Sequence, residues 1–133
     1  MTAHFSPPAH DAVASSTLLI GAARCWRAAR DRGEPSQPRL SEMLAAHDCG
    51  VLAPVLDSLC LFYEGALGRP MAVGEALTLS GDELRLLGLI DGSVPRSCGD
   101  CPEGAITPLD CALCSTRIML TLALDQRALV TLQ

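Results

Sequence analysis

The sequence predicts a mainly α fold, a small helical bundle of about five helices with a C-terminal four-cysteine zinc-knuckle site. Three observations carry this. Apolar residues recur at three- and four-residue steps through several segments, the mark of a buried helix face. Leucine and alanine supply most of the apolar mass, while Phe5, Trp26, Phe62 and Tyr63 are the whole aromatic set; that composition favours helices over a β sandwich. Two C-x-x-C pairs, at Cys98 and Cys101 and at Cys111 and Cys114, stand nine residues apart. Four thiolates at that spacing can close a tetrahedron around one Zn²⁺.

With 133 residues, 49% of them hydrophobic, the chain has the size of one globular domain with a modest core. Residues 1–10, with Pro7 and Pro8, read as a loose tail, and residues 11–133 as a single helical domain that includes the zinc site at 98–114. His4 and His10 in the tail read as solvated, since four cysteines already saturate a zinc ion.

The first helix is expected over about 11–30, with Leu19, Ala22, Ala23, Trp26 and Ala29 on its inner face and Gly33 as its stop. Arg24, Arg27, Arg30 and Arg32 cluster near its C-terminal end, where the helix dipole favours positive charge. A solvated face explains them, and an anionic-partner patch of Arg24, Arg27 and Arg30 with Arg117 is the functional alternative. The second helix is expected over about 38–47, burying Leu40, Met43 and Leu44, with His47 at its end. The third, over about 51–67, is the most apolar and the central one. Leu52, Val55, Leu56, Leu59, Phe62 and Tyr63 form its stripe, Cys60 beside them reads as a small buried hydrophobe, and Asp57 and Glu64 mark the wet side.

Residues 69–79 read as irregular. Ser80 with Glu83 is a capping-box pattern that starts a fourth helix through Leu84, Leu87 and Ile90, ended by Gly92. Asp82 and Glu83 therefore read as capping residues rather than a catalytic carboxylate pair. Beyond the cysteines, Leu113, Ile118, Leu122 and Leu129 suit a fifth helix capped by Asp110, with Cys111 and Cys114 in its opening turns. Alternation at Ile118, Leu120, Leu122 and Leu124 keeps a strand open as the other reading.

All ten basic residues are arginine, which fits a coding bias toward G and C. Residues 1–50 balance five arginines with five acids, and residues 51–133 set five arginines against ten acids. The half that holds the cysteine motif is thus acidic and repels a phosphate backbone, so nucleic acid is disfavoured as a partner. The N-terminal residues lack the basic start of a secretory signal, and the apolar run 51–67 is interrupted by Asp57 and Glu64. The expectation is a reducing cytoplasm and no membrane, a setting where paired cysteines bind metal more often than they form disulfides.

Three chemistries compete at the four cysteines. Structural Zn²⁺ leads, because four thiolates leave no open position for a substrate. An iron–sulfur cluster uses the same ligands at other usual spacings, and a thiol redox role is compatible with a C-x-x-C that opens a helix. The run from Cys98 to Arg117 also resembles the four-cysteine finger of the bacterial recombination mediator RecR, where two C-x-x-C pairs lie upstream of an arginine. That resemblance implies a metal-site geometry at Cys98, Cys101, Cys111 and Cys114 and no activity.

The sequence contains no phosphate-binding glycine loop, no H-E-x-x-H and no G-x-S-x-G, and His47 has no nucleophile context. The expected function is therefore that of a non-catalytic zinc-binding protein acting through protein–protein interaction as a regulator or adaptor. A zinc-finger nucleic-acid binder and a thiol redox or iron–sulfur protein are the alternatives. A homo-oligomer is compatible with every one of these readings.

Overall fold

The structure is a computed structural model that describes residues 9–94 and 107–132. It is helical, with α1 at Ala9–Asp31, α2 at Ser36–Ala45, α3 at Ala53–Leu67, α4 at Gly81–Asp91 and α5 at Pro108–Leu132. A 3-10 turn at Gly50–Leu52 leads into α3, and no strand forms among the described residues beyond one isolated bridge between Glu75 and Thr78. The last element is thus a helix and not the alternative strand. The residues of the expected tail up to position 8, His4 included, lie outside the described residues, and α1 begins two residues before its expected start.

Helix α1 buries the face its periodicity marks. Leu19, Ala22, Ala23, Trp26 and Ala29 are each at most 1% exposed. Against it α2 buries Leu40 and Leu44, and α3 buries Leu52 from its leading turn with Leu56, Leu59, Cys60 and Tyr63. Helix α5 closes the bundle over α3 with Leu109, Leu113 and Leu120. Pro38 fits inside α2 because it stands in the first turn, where its missing N–H has no carbonyl to meet. His47 is exposed in the turn that follows.

The capping box is present as read. The Glu83 amide donates to Ser80 Oγ at 3.0 Å, and the Ser80 amide donates back to Glu83 Oε1 at 2.9 Å. Of the apolar residues expected along α4, Leu87 and Ile90 pack partly buried against the core and Leu84 is 56% exposed, while Leu86 and Leu89 supply its buried positions. Asp110 is not the cap of α5. Thr107 caps it, with Thr107 Oγ1 accepting from the Asp110 amide at 3.2 Å and Asp110 Oδ2 accepting from the Thr107 amide at 2.8 Å. Pro108 then takes the first helical position, for which its fixed φ is suited.

The largest departure is in α3. Asp57 and Glu64 do not mark a solvated side; both turn toward the bundle. Trp26 Nε1 and Ser36 Oγ each donate to Asp57 Oδ1 at 2.8 Å. Glu64 Oε2 accepts from the Arg27 guanidinium and from the Met71 amide. Phe62, expected in the buried stripe, is 37% exposed, beside Leu61 at 46%. The segment Gly50–Leu67 also reaches the length and apolarity of a membrane span, with mean hydropathy 1.4 and 33% of it buried. Two charged residues are too few to lower an 18-residue window below that level.

Candidate metal centre

Cys98 and Cys101 lie outside the described residues. The second pair is placed by the start of α5. The backbone is already helical at Cys111, whose amide donates to the Thr107 carbonyl at 3.2 Å. Leu109, Ala112, Leu113 and Thr116 pack inward, and Thr116 Oγ1 donates to the Ala112 carbonyl at 2.6 Å. With that face committed to the core, the three-residue step puts Cys111 and Cys114 together on the outer face. Both thiols are free and exposed. They stand in the first two turns of α5.

Arg117 sets the direction of this helix. Its Nε donates to the Ile90 carbonyl at 2.8 Å and its Nη2 to the Leu89 carbonyl at 2.7 Å. Those carbonyls end α4, so a cation meets the negative end of a helix dipole and satisfies two groups that the helix leaves unpaired. The clasp lies one turn beyond Cys114.

The other arginines of the expected anionic-partner patch are also engaged within the chain. Arg24 donates to both Glu83 oxygens, at 2.7 and 3.1 Å, and to the Ala76 and Thr78 carbonyls. Arg27 pairs with Glu64 and with Asp31. Arg30 lies over the Trp26 ring, 4.8 Å from its centroid, a cation–π distance. Arg24, Arg27 and Arg30 share α1, whereas Arg117 holds the end of α4.

The remaining cysteines differ in setting. Cys49 and Cys60 are fully buried, and burial, with Asp57 and Glu64 nearby, pushes the Cys60 thiol well above its usual range. Cys25 is half-buried, and its Sγ donates to the Arg39 carbonyl at 3.6 Å. It edges a groove of about 240 Å³ lined also by Arg32, Glu34, Arg39, Glu42 and Met43. Sequence reasoning passed over this groove, because α1 and α2 form it together and neither element signals it alone. Burial raises the Cys25 thiol against the opposing pull of Arg39.

Among the described residues, no group of three or more His, Cys, Asp or Glu side chains is placed to hold a metal ion. Two of the four expected ligands lie outside that set. Comparison with known proteins gives no matching family model, no matching curated protein and no matching solved structure.

Proposed function

We propose that this chain is a small, non-catalytic zinc-binding protein of the cytoplasm that acts as a regulator or adaptor by docking a protein partner. The observation that carries the reading is the outward pair at the start of α5, two free thiols one turn apart on a helix whose opposite face is packed. Such a pair supplies half of a tetrahedral thiolate set, and Cys98 with Cys101 would supply the other half. The donor set fits Zn²⁺, and the metal would act as a cross-link that ties residues 98–101 to α5. Ligation of this kind contributes on the order of several kcal/mol to folding.

A closed four-thiolate site has no open position for substrate, which supports a binding role over an enzymatic one. The reducing compartment is inferred from the paired-cysteine motif, which in such a setting binds metal more often than it forms disulfides. Of the alternatives, the nucleic-acid reading has less support, because Arg24, Arg27 and Arg117 spend their donors on internal carboxylates and carbonyls.

Cobalt substitution tests the closed site. Apo-protein titrated with Co²⁺ should develop the intense visible bands of tetrahedral thiolate ligation, saturating at about one ion per chain and unchanged by added small ligands. Weak octahedral-type bands, or bands that shift when cyanide or azide is added, would contradict it.

A further inference from the structure

Cys111 and Cys114 are the fourth and seventh residues of α5, so both lie inside the helix rather than ahead of it. The backbone is helical on either side of them. The Cys111 amide donates to the Thr107 carbonyl, and Thr116 Oγ1 donates to the carbonyl of Ala112, between the two cysteines. Residues three apart on an α-helix hold their Cβ atoms about 5–6 Å from each other. A disulfide needs Cβ atoms about 3.5–4.5 Å apart. Rotation about χ1 turns the sulfurs but leaves each Cβ where the backbone puts it, so the pair closes only if the turn between them distorts. Two ligands of one metal ion face no such limit, because the ion stands between the sulfurs.

The turn that would have to give is packed. Ala112 and Leu113 lie between the cysteines, and with Leu109 and Thr116 they are buried where α5 packs against α3. One turn on, Arg117 donates to the Leu89 and Ile90 carbonyls and so holds the end of α4. Distortion at 111–114 therefore strains the core contact and the clasp together.

We infer that Cys111 and Cys114 form a redox switch. Its reduced, metal-competent state is the helical one, and its disulfide state loosens the start of α5 from the bundle and from α4. The oxidant is a low-molecular-weight disulfide such as glutathione disulfide, which reaches both thiols because both are exposed. One cysteine, as thiolate, attacks a sulfur of the oxidant and expels the first thiolate. The other cysteine then attacks the protein sulfur of that mixed disulfide and expels the second. Both cysteine sulfurs are oxidised, the oxidant is reduced to two thiols, and the two protons lost by the cysteines pass to them. A closed pair has no thiolate left for a metal, so oxidation and metal binding exclude each other. The inference names a regulation of the proposed zinc site and rests on that reading for the metal alone.

Equilibration with glutathione tests the switch on Cys98→Ser/Cys101→Ser and on metal-free wild type, with the Cys111–Cys114 link located by peptide mass mapping. Folding should disfavour the bond. The equilibrium constant for its formation should be at least about tenfold lower in the native chain than in concentrated urea. In native buffer, oxidation should speed amide exchange across residues 109–118 and leave α1 around Trp26 unchanged. A constant equal in the two conditions, or higher in the native chain, would overturn the inference. So would an oxidised chain that keeps full protection across 109–118. No metal enters these measurements, so a failed zinc site shows separately, as a metal-free wild type from a reduced preparation.

Discussion

Arg24 and Glu83 meet across 59 residues of chain, with Arg24 Nε donating to Glu83 Oε2 at 2.7 Å and the Glu83 side chain wholly buried. Glu83 also accepts from the Gly74 and Ser80 amides, while Arg24 donates to the Ala76 and Thr78 carbonyls. The pair thus ties the loop to α1 at four backbone groups between Gly74 and Ser80. Arg24→Ala would leave a buried carboxylate without its counter-charge, and it should cost about 3 kcal/mol of stability. Urea unfolding measures this, and a loss below about 1 kcal/mol would mean that the loop is held otherwise.

The same pair gives the stability an acid limit. Burial pushes the Glu83 carboxyl up, but hydrogen bonds from Arg24, Ser80 and Gly74 outweigh it, and the group titrates below its ordinary 4.5. Asp82 is lowered chiefly by the Arg69 guanidinium, with help from the Ala72 amide. A carboxyl with a depressed folded pKa contributes stability above its unfolded pKa and loses it as pH falls through the folded value. Stability should therefore hold steady above about pH 5 and fall below about pH 4. In Glu83→Gln the acid slope should be shallower; an unchanged slope would place the acid sensitivity elsewhere.

Within that loop two residues should respond in opposite directions. Ala76 holds a left-handed φ of 50°, a conformation that disfavours any residue with a Cβ. Ala76→Gly should raise stability by about 0.5 kcal/mol, the relief of strain being partly offset by a freer unfolded chain. Gly74 has the reverse problem. A Cβ there would stand 3.0 Å from Glu83 Oε1 and 3.0 Å from the Ser80 amide, and would collide with the Thr78 carbonyl. Gly74→Ala should cost about 2 kcal/mol or more. Thermal melts of the two variants that shift in the same direction would refute this account of the loop.

What the sequence made legible was local. The Ser80–Glu83 box spans four residues, and the inner face of α1 is a repeat of three- and four-residue steps, so both could be read without tertiary knowledge. The direction of Asp57 could not. Its donors, Trp26 Nε1 and Ser36 Oγ, come from 31 and 21 residues away, and a carboxylate in an apolar helix reads as wet until such donors are known. The same holds for Arg24, whose role is set by a loop more than fifty residues downstream. Of the candidate site, the helix that carries Cys111 and Cys114 was legible. That the apolar face of α5 would turn Cys111 and Cys114 outward was not, because Ile118 and Leu122, both 55% exposed, suggested a different inner face.

Zinc content of protein purified without chelator, for the wild type beside Cys98→Ser and Cys111→Ser, tests the central claim most directly. The four-thiolate site predicts about one zinc per wild-type chain in a colourless solution, and loss of tightly held metal in both variants. Iron with visible absorbance would contradict that claim in favour of a cluster. A metal-free wild type with its cysteines oxidised would contradict it in favour of thiol redox chemistry.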